Sequence, residues 1–490
     1  MYDVDTVKLI QNSEAAISFL KRLGYSPYFN KNMVKNIQDC KDWYQGYIKS
    51  VHNVSVYDGL TVTKHELYRL NMAKRVCEDW VSTLLSEDIK ITVADTNKKA
   101  SVFLQGSKGV GGVLGSTNFW ERFEKNLEKM LAFGTSAIAI DIENGVLHPE
   151  TGAITRAEDT KIGYSFYTAD SIIPLKWRED KITNCAFITQ YKKKENIRYK
   201  VRIDTKENGV SNIYIFDTDS TFGEKKLDLH IQLPNVDNTF VILATTFSNN
   251  VDLRSPMGIS VYGNDFSVLR AVDTAYDQCM NEVVSGRRIV MMDKSMLGKD
   301  ANGNPVVPQE ARQSYMQYVG DPNFVSDDGY KVPAYDFCPT LRVDALDKEL
   351  QNQLNILSEK CGLGSKYYSF DITAGVTATE YTGSTQDYQR NAKKLSSSLS
   401  RELKQLMLDT IQVGVYLGFL RQSNPIVTVE VPDGIITDDS SEREQDRQDV
   451  QNGLMSKAEY RMKWYGETQA EAEEALSKID NSGMQIAGSN

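Results

Sequence analysis

Residues 344–420 limit the fold more than any other stretch: they read as a helix, a Gly-rich loop and a much longer helix. In DALDKELQNQLNILSEKC, residues Leu346, Leu350, Leu354, Leu357 and Cys361 recur at steps of four, four, three and four, one face of an α-helix. Asp344 is expected to cap its start, its carboxylate accepting from first-turn N–H groups. Gly362 is expected to end it, because glycine takes the left-handed conformation at low cost. After the loop GLGSKYYSFDITAG, Thr377-Ala-Thr-Glu380 has the form of a capping box. Helical spacing then runs through Tyr388, Ala392, Leu395, Leu399, Leu403, Leu406, Val413, Leu417 and Leu420, with no proline before Pro425. About 45 helical residues would span roughly 65 Å. Helices in compact domains usually run about 8–20 residues, so this one suits a large assembly better than a compact enzyme.

The chain has 490 residues, enough for two to four domains, and is 41% hydrophobic and 25% charged, a folded and non-membrane composition. The longest apolar stretch, near residues 138–142, is broken by Asp141, and nothing approaches the roughly 18 residues of a membrane span. The acidic start MYDVDTVKLI lacks a signal peptide's basic and apolar regions, so use in a cytoplasm, or release by lysis, is expected. Six scattered cysteines form no CxxC pair, which points to buried thiols and not to a zinc ribbon or disulfide framework. The net charge of −10 disfavours sequence-specific DNA binding through a basic domain, yet permits a surface that DNA slides past.

In chain order, helices are expected over residues 7–23, 66–87 and 118–133, with a strand at 89–93 and a Gly-rich loop at 101–115. Residues 136–247 carry short β-branched and aromatic runs separated by turns, an antiparallel or mixed sheet domain whose charged hairpins, 192–194 and 224–226, are solvated strand ends. A helix over 265–285, a strand at 287–292 and about fifty irregular residues follow, so that two helices flank a small β-containing insertion as an antiparallel pair with a module at its tip. Residues 426–431 read as a strand. Residues 433–480 read as acidic helices, six Lys/Arg against thirteen Asp/Glu, with a capping box at Ser456–Glu459 and a last helix over 468–479.

No chemistry-bearing motif stands out. The loop GSKGVGGVLGS, residues 106–116, precedes a helix, but it lacks the Gly-Lys-Ser/Thr ending of a P-loop and the third dinucleotide-binding glycine. His52, His65, His148 and His230 form no paired motif for zinc. Asp438, Asp439, Glu442 and Glu444 fit a helix start better than a metal site. In the loop between the central helices, Tyr367, Tyr368 and Phe370 could stack on bases or pack back onto the helices, and Lys366 is a natural phosphate contact. Arg287 and Arg288 could meet a partner or satisfy helix-end carbonyls.

The layout resembles a tailed-bacteriophage portal protein, of the branch found in long-tailed phages and prophages of Gram-positive bacteria. NMAKRVCEDWVSTLLSEDIKITV is similar to that family's N-terminal region, and SPMGISVYGNDFSVLRAVDTAYDQCMNEVVSGRRIVM to its first stem helix leading into the clip. LNILSEKCGLGSKYYSFD with TATEYTGSTQDYQRNAKKL resembles the second stem helix, tunnel loop and long helix, and IITDDSSEREQDRQDVQNGLMSKAEYRMKWYGETQAEAEEAL resembles the crown. The resemblance implies an α+β portal fold with a β-rich wing, antiparallel stem helices, a small clip, a long helix and an α-helical crown. Its divisions would be a wing at 1–255, stem helices at 256–286 and 341–362 around a clip at 287–340, a tunnel loop at 363–378, a long wing helix and strand at 379–432, and a crown with a flexible tail at 433–490.

It implies a non-enzymatic ring, usually of twelve subunits, at one capsid vertex, through which double-stranded DNA is packaged and ejected without sequence specificity. Implied partners are the terminase large subunit, major capsid and scaffolding proteins and head-completion adaptors. No metal, cofactor or membrane is implied. The location implied is the virion, and the host cytoplasm during assembly. Lys366, Tyr367, Tyr368, Asp371 and Thr373 fall where the tunnel loop would meet DNA, and Arg287 and Arg288 at the clip interface. Two other readings stay open: a different ring-forming head-tail connector, and a nucleotide-using enzyme built on residues 106–116.

Overall fold

A computed structural model describes residues 4–57, 61–95, 99–107, 111–148, 150–179, 181–193, 196–286, 289–293, 301–303, 314–318, 334–337, 340–365, 367–368, 378–421, 425–432, 439–465, 467, 469 and 471–478. The chain divides into two units, Met1–Asp433 and Gly434–Asn490, and the fold is α+β.

The first unit is built on two antiparallel sheets. Five strands, Ile172–Arg178, Lys181–Lys193, Asn196–Glu207, Val210–Asp219 and Lys226–Pro234, form a meander in which each strand pairs with the next. A smaller sheet places Thr135–Glu143 between Phe240–Ala244 and Lys161–Thr168. The helix Phe119–Phe133 covers the smaller sheet with Phe119, Phe123, Leu127 and Met130, all 0% exposed. Gly134 ends that helix at φ +83°, where a side chain would strike the backbone of Ile259, so glycine is required for both conformation and space. The helix Val4–Arg22 lays Ala16, Phe19 and Leu20 on Leu175, Val201, Ile203 and Phe216 of the larger sheet.

One buried cation joins the two sheets. Arg202 donates to both oxygens of Asp204 at 2.7 and 2.8 Å, to the Ile140 carbonyl at 2.9 Å, and to Asp141. Thr239 adds a hydrogen bond to Asp204 at 2.6 Å. Asp204 is 0% exposed, and burial raises its pKa against the opposing Arg202 charge. Such a group persists inside a protein because its donors and acceptors are matched.

Helices Phe266–Ser285 and Val343–Lys360 pack together. Between them in sequence is a three-stranded sheet: Ile289–Asp293 pairs parallel with Ser314–Tyr318 and antiparallel with Ala334–Phe337. The long helix Ala378–Tyr416 has 39 residues, about 58 Å. It buries Ala392, Leu395, Leu399, Leu403, Leu406 and Met407, ends in a turn through Gly418 at φ +76°, and returns as the strand Ile426–Glu430, which pairs with Lys90–Ala94.

The second unit contains helices Asp439–Gln451 and Lys457–Tyr465 and helical residues 471–478. Its capping box is present: the Ser456 N–H donates to Glu459 at 2.8 Å and the Glu459 N–H to Ser456 Oγ at 3.1 Å. Lys463 and the Trp464 indole N–H both engage Asp446 between the two helices.

Several expectations are corrected. The helix expected over 66–87 is Met72–Leu84, because residues 62–66 form a strand and acceptors on a distant helix hold the next N–H groups. The loop expected at 101–115 contains helices Lys99–Gln105 and Gly112–Ser116, whose Leu104, Val113 and Leu114 are buried. Asp344 lies inside the first turn of its helix, and the N-cap position is Arg342, which has no capping side-chain bond. The long helix stops at Tyr416, four residues short, where Gly418 turns the chain. Thr377 lies outside the described residues.

Candidate DNA-channel site

The paired helices run antiparallel, since their ends meet crosswise. Glu282, in the last turn of the first, accepts from Arg342 at the start of the second: the backbone N–H at 3.0 Å, Nε at 3.2 Å and Nη2 at 2.8 Å. These bonds hold the Glu282 carboxyl down at about 2. At the opposite end, Asp265 and Lys360 interact electrostatically.

A second face of the first helix carries carboxylates at one-turn spacing. Asp273 accepts from the Leu70 N–H at 3.0 Å and from His52 Nε2 at 3.3 Å. Asp277 accepts from the Tyr68 N–H at 2.9 Å, from His65 at 2.8 Å and from Asn281 at 2.7 Å. The Ile48 N–H donates to His52 Nδ1 at 2.8 Å, so Nε2 carries the proton of the neutral ring. Burial lowers the His52 pKa against the opposing pull of Asp273. These bonds pin the hairpin Asn53–Tyr57/Val62–Glu66 and the segment after it to the helix.

The second helix ends as Gly362 takes φ +80°. A side chain there would come within 3.1 Å of Asn391 and 3.4 Å of Trp80. Trp80 donates to the Cys361 carbonyl at 3.1 Å and Asn391 to the Gly362 carbonyl at 3.2 Å, so the start of the loop is bonded to the Met72–Leu84 helix and to the long helix.

The two loop tyrosines have different surroundings. The Tyr368 hydroxyl donates to Asp79 Oδ2 at 2.8 Å, and the Tyr368 carbonyl accepts from Gln351 at 3.1 Å. Asp79 is 4% exposed and also pairs with Arg75 at 2.9 Å. Burial raises both the Asp79 carboxyl and the Tyr368 hydroxyl above their ordinary values. Tyr367 is 42% exposed, edge-on to Tyr368 at 5.1 Å and 6.1 Å from the Tyr388 ring. Lys366, Asp371, Thr373, Arg287 and Arg288 lie outside the described residues. Asp79, Asp273 and Asp277 were missed in sequence. Their only signal was an acid set next to an apolar helical stripe.

The Gly-rich loop has a packing explanation. Gly112, at φ +66°, approaches the backbone so closely that a Cβ would lie 2.4 Å from the Gly106 nitrogen. The helix it opens is five residues long. Among the described residues, no three His, Cys, Asp or Glu side chains gather as a metal site, and no helix is long and apolar enough to cross a membrane.

The family model for phage portal proteins of the SPP1 Gp6-like type matches residues 25–483. The chain belongs to the SPP1 Gp6-like phage portal protein family. A comparison with curated proteins gave no match. As a portal protein it is a structural head-to-tail connector subunit of a tailed bacteriophage, a component of the capsid vertex that serves DNA packaging. Portal subunits work as an oligomeric ring among other proteins of the phage head.

Proposed function

We propose that the chain forms a ring of twelve copies, a non-enzymatic conduit for packaging and ejection of double-stranded DNA. The family match over residues 25–483 carries this reading. The antiparallel pair Phe266–Ser285 and Val343–Lys360 serves as the stem, residues 287–340 as the clip, the first 255 residues with the long helix as the wing, and residues 433–490 as the crown. The clip, with Arg287 and Arg288, receives the terminase large subunit during packaging and head-completion adaptors afterwards. The wing meets the capsid and scaffolding proteins. Assembly takes place in the host cytoplasm.

Residues 363–378 form the tunnel loop, in which Lys366, Tyr367, Asp371 and Thr373 face DNA while Tyr368 anchors the loop's root. The support for that division is the Tyr368–Asp79 bond beside an exposed Tyr367. The net charge of −10 favours passage without adhesion.

Negative-stain images of the purified chain test the assembly: rings with a central hole and twelve-fold symmetry are expected. A monomer at every salt concentration overturns it. ATP hydrolysis abolished by Gly112→Ala would overturn the non-enzymatic reading.

A further inference from the structure

The solvent side of the long helix is cationic in an otherwise acidic protein. Arg390, Lys393, Lys394, Ser397, Arg401 and Lys404 are all exposed. Their spacings of three, one, three, four and three residues put them on one helical face. Ala392, Leu395, Leu399 and Leu403 are buried on the other side and fix the helix in the core, so the cations keep their relative positions. Within residues 390–404 the one acid is Glu402, whose carboxylate pairs with its neighbour Arg401 at 2.9 Å. Among the described residues, Lys393, Lys394 and Lys404 make no ion pair. Glu87, Asp88 and Glu430, with Lys90 among them, line a shallow groove at the Lys393 end.

We propose that this stripe is a contact for the sugar-phosphate backbone of duplex DNA, independent of base sequence. The inference rests on the portal reading and adds the residues. From Arg390 to Lys404 the helix rises about 21 Å, over which a duplex carries roughly twelve negative charges. Lys393, Lys394, Arg401 and Lys404 on one helical face match part of that array without requiring any particular base. Exposed lysines give screened, exchangeable contacts, which suit DNA that must move along the protein. A protein partner would need carboxylates at matching intervals, whereas phosphates recur at every register of the duplex.

The test uses the full chain and a variant with Lys393→Gln, Lys394→Gln, Arg401→Gln and Lys404→Gln, circular dichroism confirming that both are folded. Binding of a fluorescent duplex of roughly 30 base pairs is followed by anisotropy between about 50 and 200 mM salt. With four phosphate contacts, the slope of log K against log salt is steeper for the wild type by roughly 3–4. Affinity at low salt falls at least about tenfold in the variant, and Lys-to-Arg replacements at 393, 394 and 404 restore it. Equal affinity and slope in the two proteins overturn the proposal. So does a variant that binds DNA normally but loses its rings in negative stain, which would assign the stripe to an acidic surface of a neighbouring copy. Absence of rings in the wild type sinks the proposed twelve-copy ring instead, and the DNA titration still decides the role of the stripe.

Discussion

At the residue scale, burial of a carboxylate has different consequences with and without an opposing charge. Asp204 is buried against a guanidinium that takes both of its oxygens. Asp409, on the long helix, is also 0% exposed, but its Oδ2 has no hydrogen-bond partner and its Oδ1 accepts from Gln405 at 2.9 Å. Burial pushes the Asp409 carboxyl up to about 7 from the ordinary 3.8. The folded chain therefore binds a proton that the unfolded chain has released between those values. The stability this proton confers is full below pH 3.8 and is lost as pH rises through 7. Asp409→Asn removes the dependence. It is expected to be roughly 2–4 kcal/mol more stable than wild type at pH 8 and close to it at pH 4. Melting curves at pH 4, 6 and 8 check this; a constant difference between the proteins across that range would contradict it.

At the element scale, the loop root is held by bonds that single-residue changes can remove. Tyr368→Phe keeps the ring but takes the hydroxyl from Asp79, leaving a buried carboxylate with Arg75 alone. The expected loss is about 1–2 kcal/mol. Faster amide exchange at residues 362–368 should accompany it, with the Ile172–Asp219 strands unchanged. Thermal melting together with hydrogen exchange measured by mass spectrometry tests this, and unchanged exchange at the loop root would argue against the anchor.

The same elements show what could be read before the fold was known. Leu350, Leu354 and Leu357 are buried as their spacing requires, and Gly362 and Gly134 end their helices in the left-handed region. Periodicity captures these features because a helix face is local. The start of the Met72–Leu84 helix was not legible, since Asp273 and Asp277, some two hundred residues away, take the N–H groups of Leu70 and Tyr68. The different surroundings of the two tyrosines were not legible. Adjacent residues of one type separate here because Asp79, 289 positions earlier, reaches only one hydroxyl.

At the scale of the whole molecule, chain closure matters most. The strand Ile426–Glu430 leaves the long helix and pairs with Lys90–Ala94, burying Val427 and Val429, with Val431 just beyond it. Ser396 and Ser400 of the long helix bond to the backbone of Val431, tying the strand to the helix as well. The unit boundary falls directly after this pairing, at Asp433. Two truncations separate closure from the acidic second unit. A chain ending at Asp433 retains every strand of the first unit and is expected to melt cooperatively with wild-type β-sheet content. A chain ending at Asn424 leaves Lys90–Ala94 without its partner strand and uncovers the long helix beside it. Unpaired strand edges recruit other chains, so this shorter form is expected to aggregate or lose its cooperative transition. Circular dichroism and light scattering on the pair distinguish the outcomes. If both truncations behaved alike, the closing strand would contribute little to the fold. If the longer one also failed, the first unit would depend on residues 434–490 for its stability.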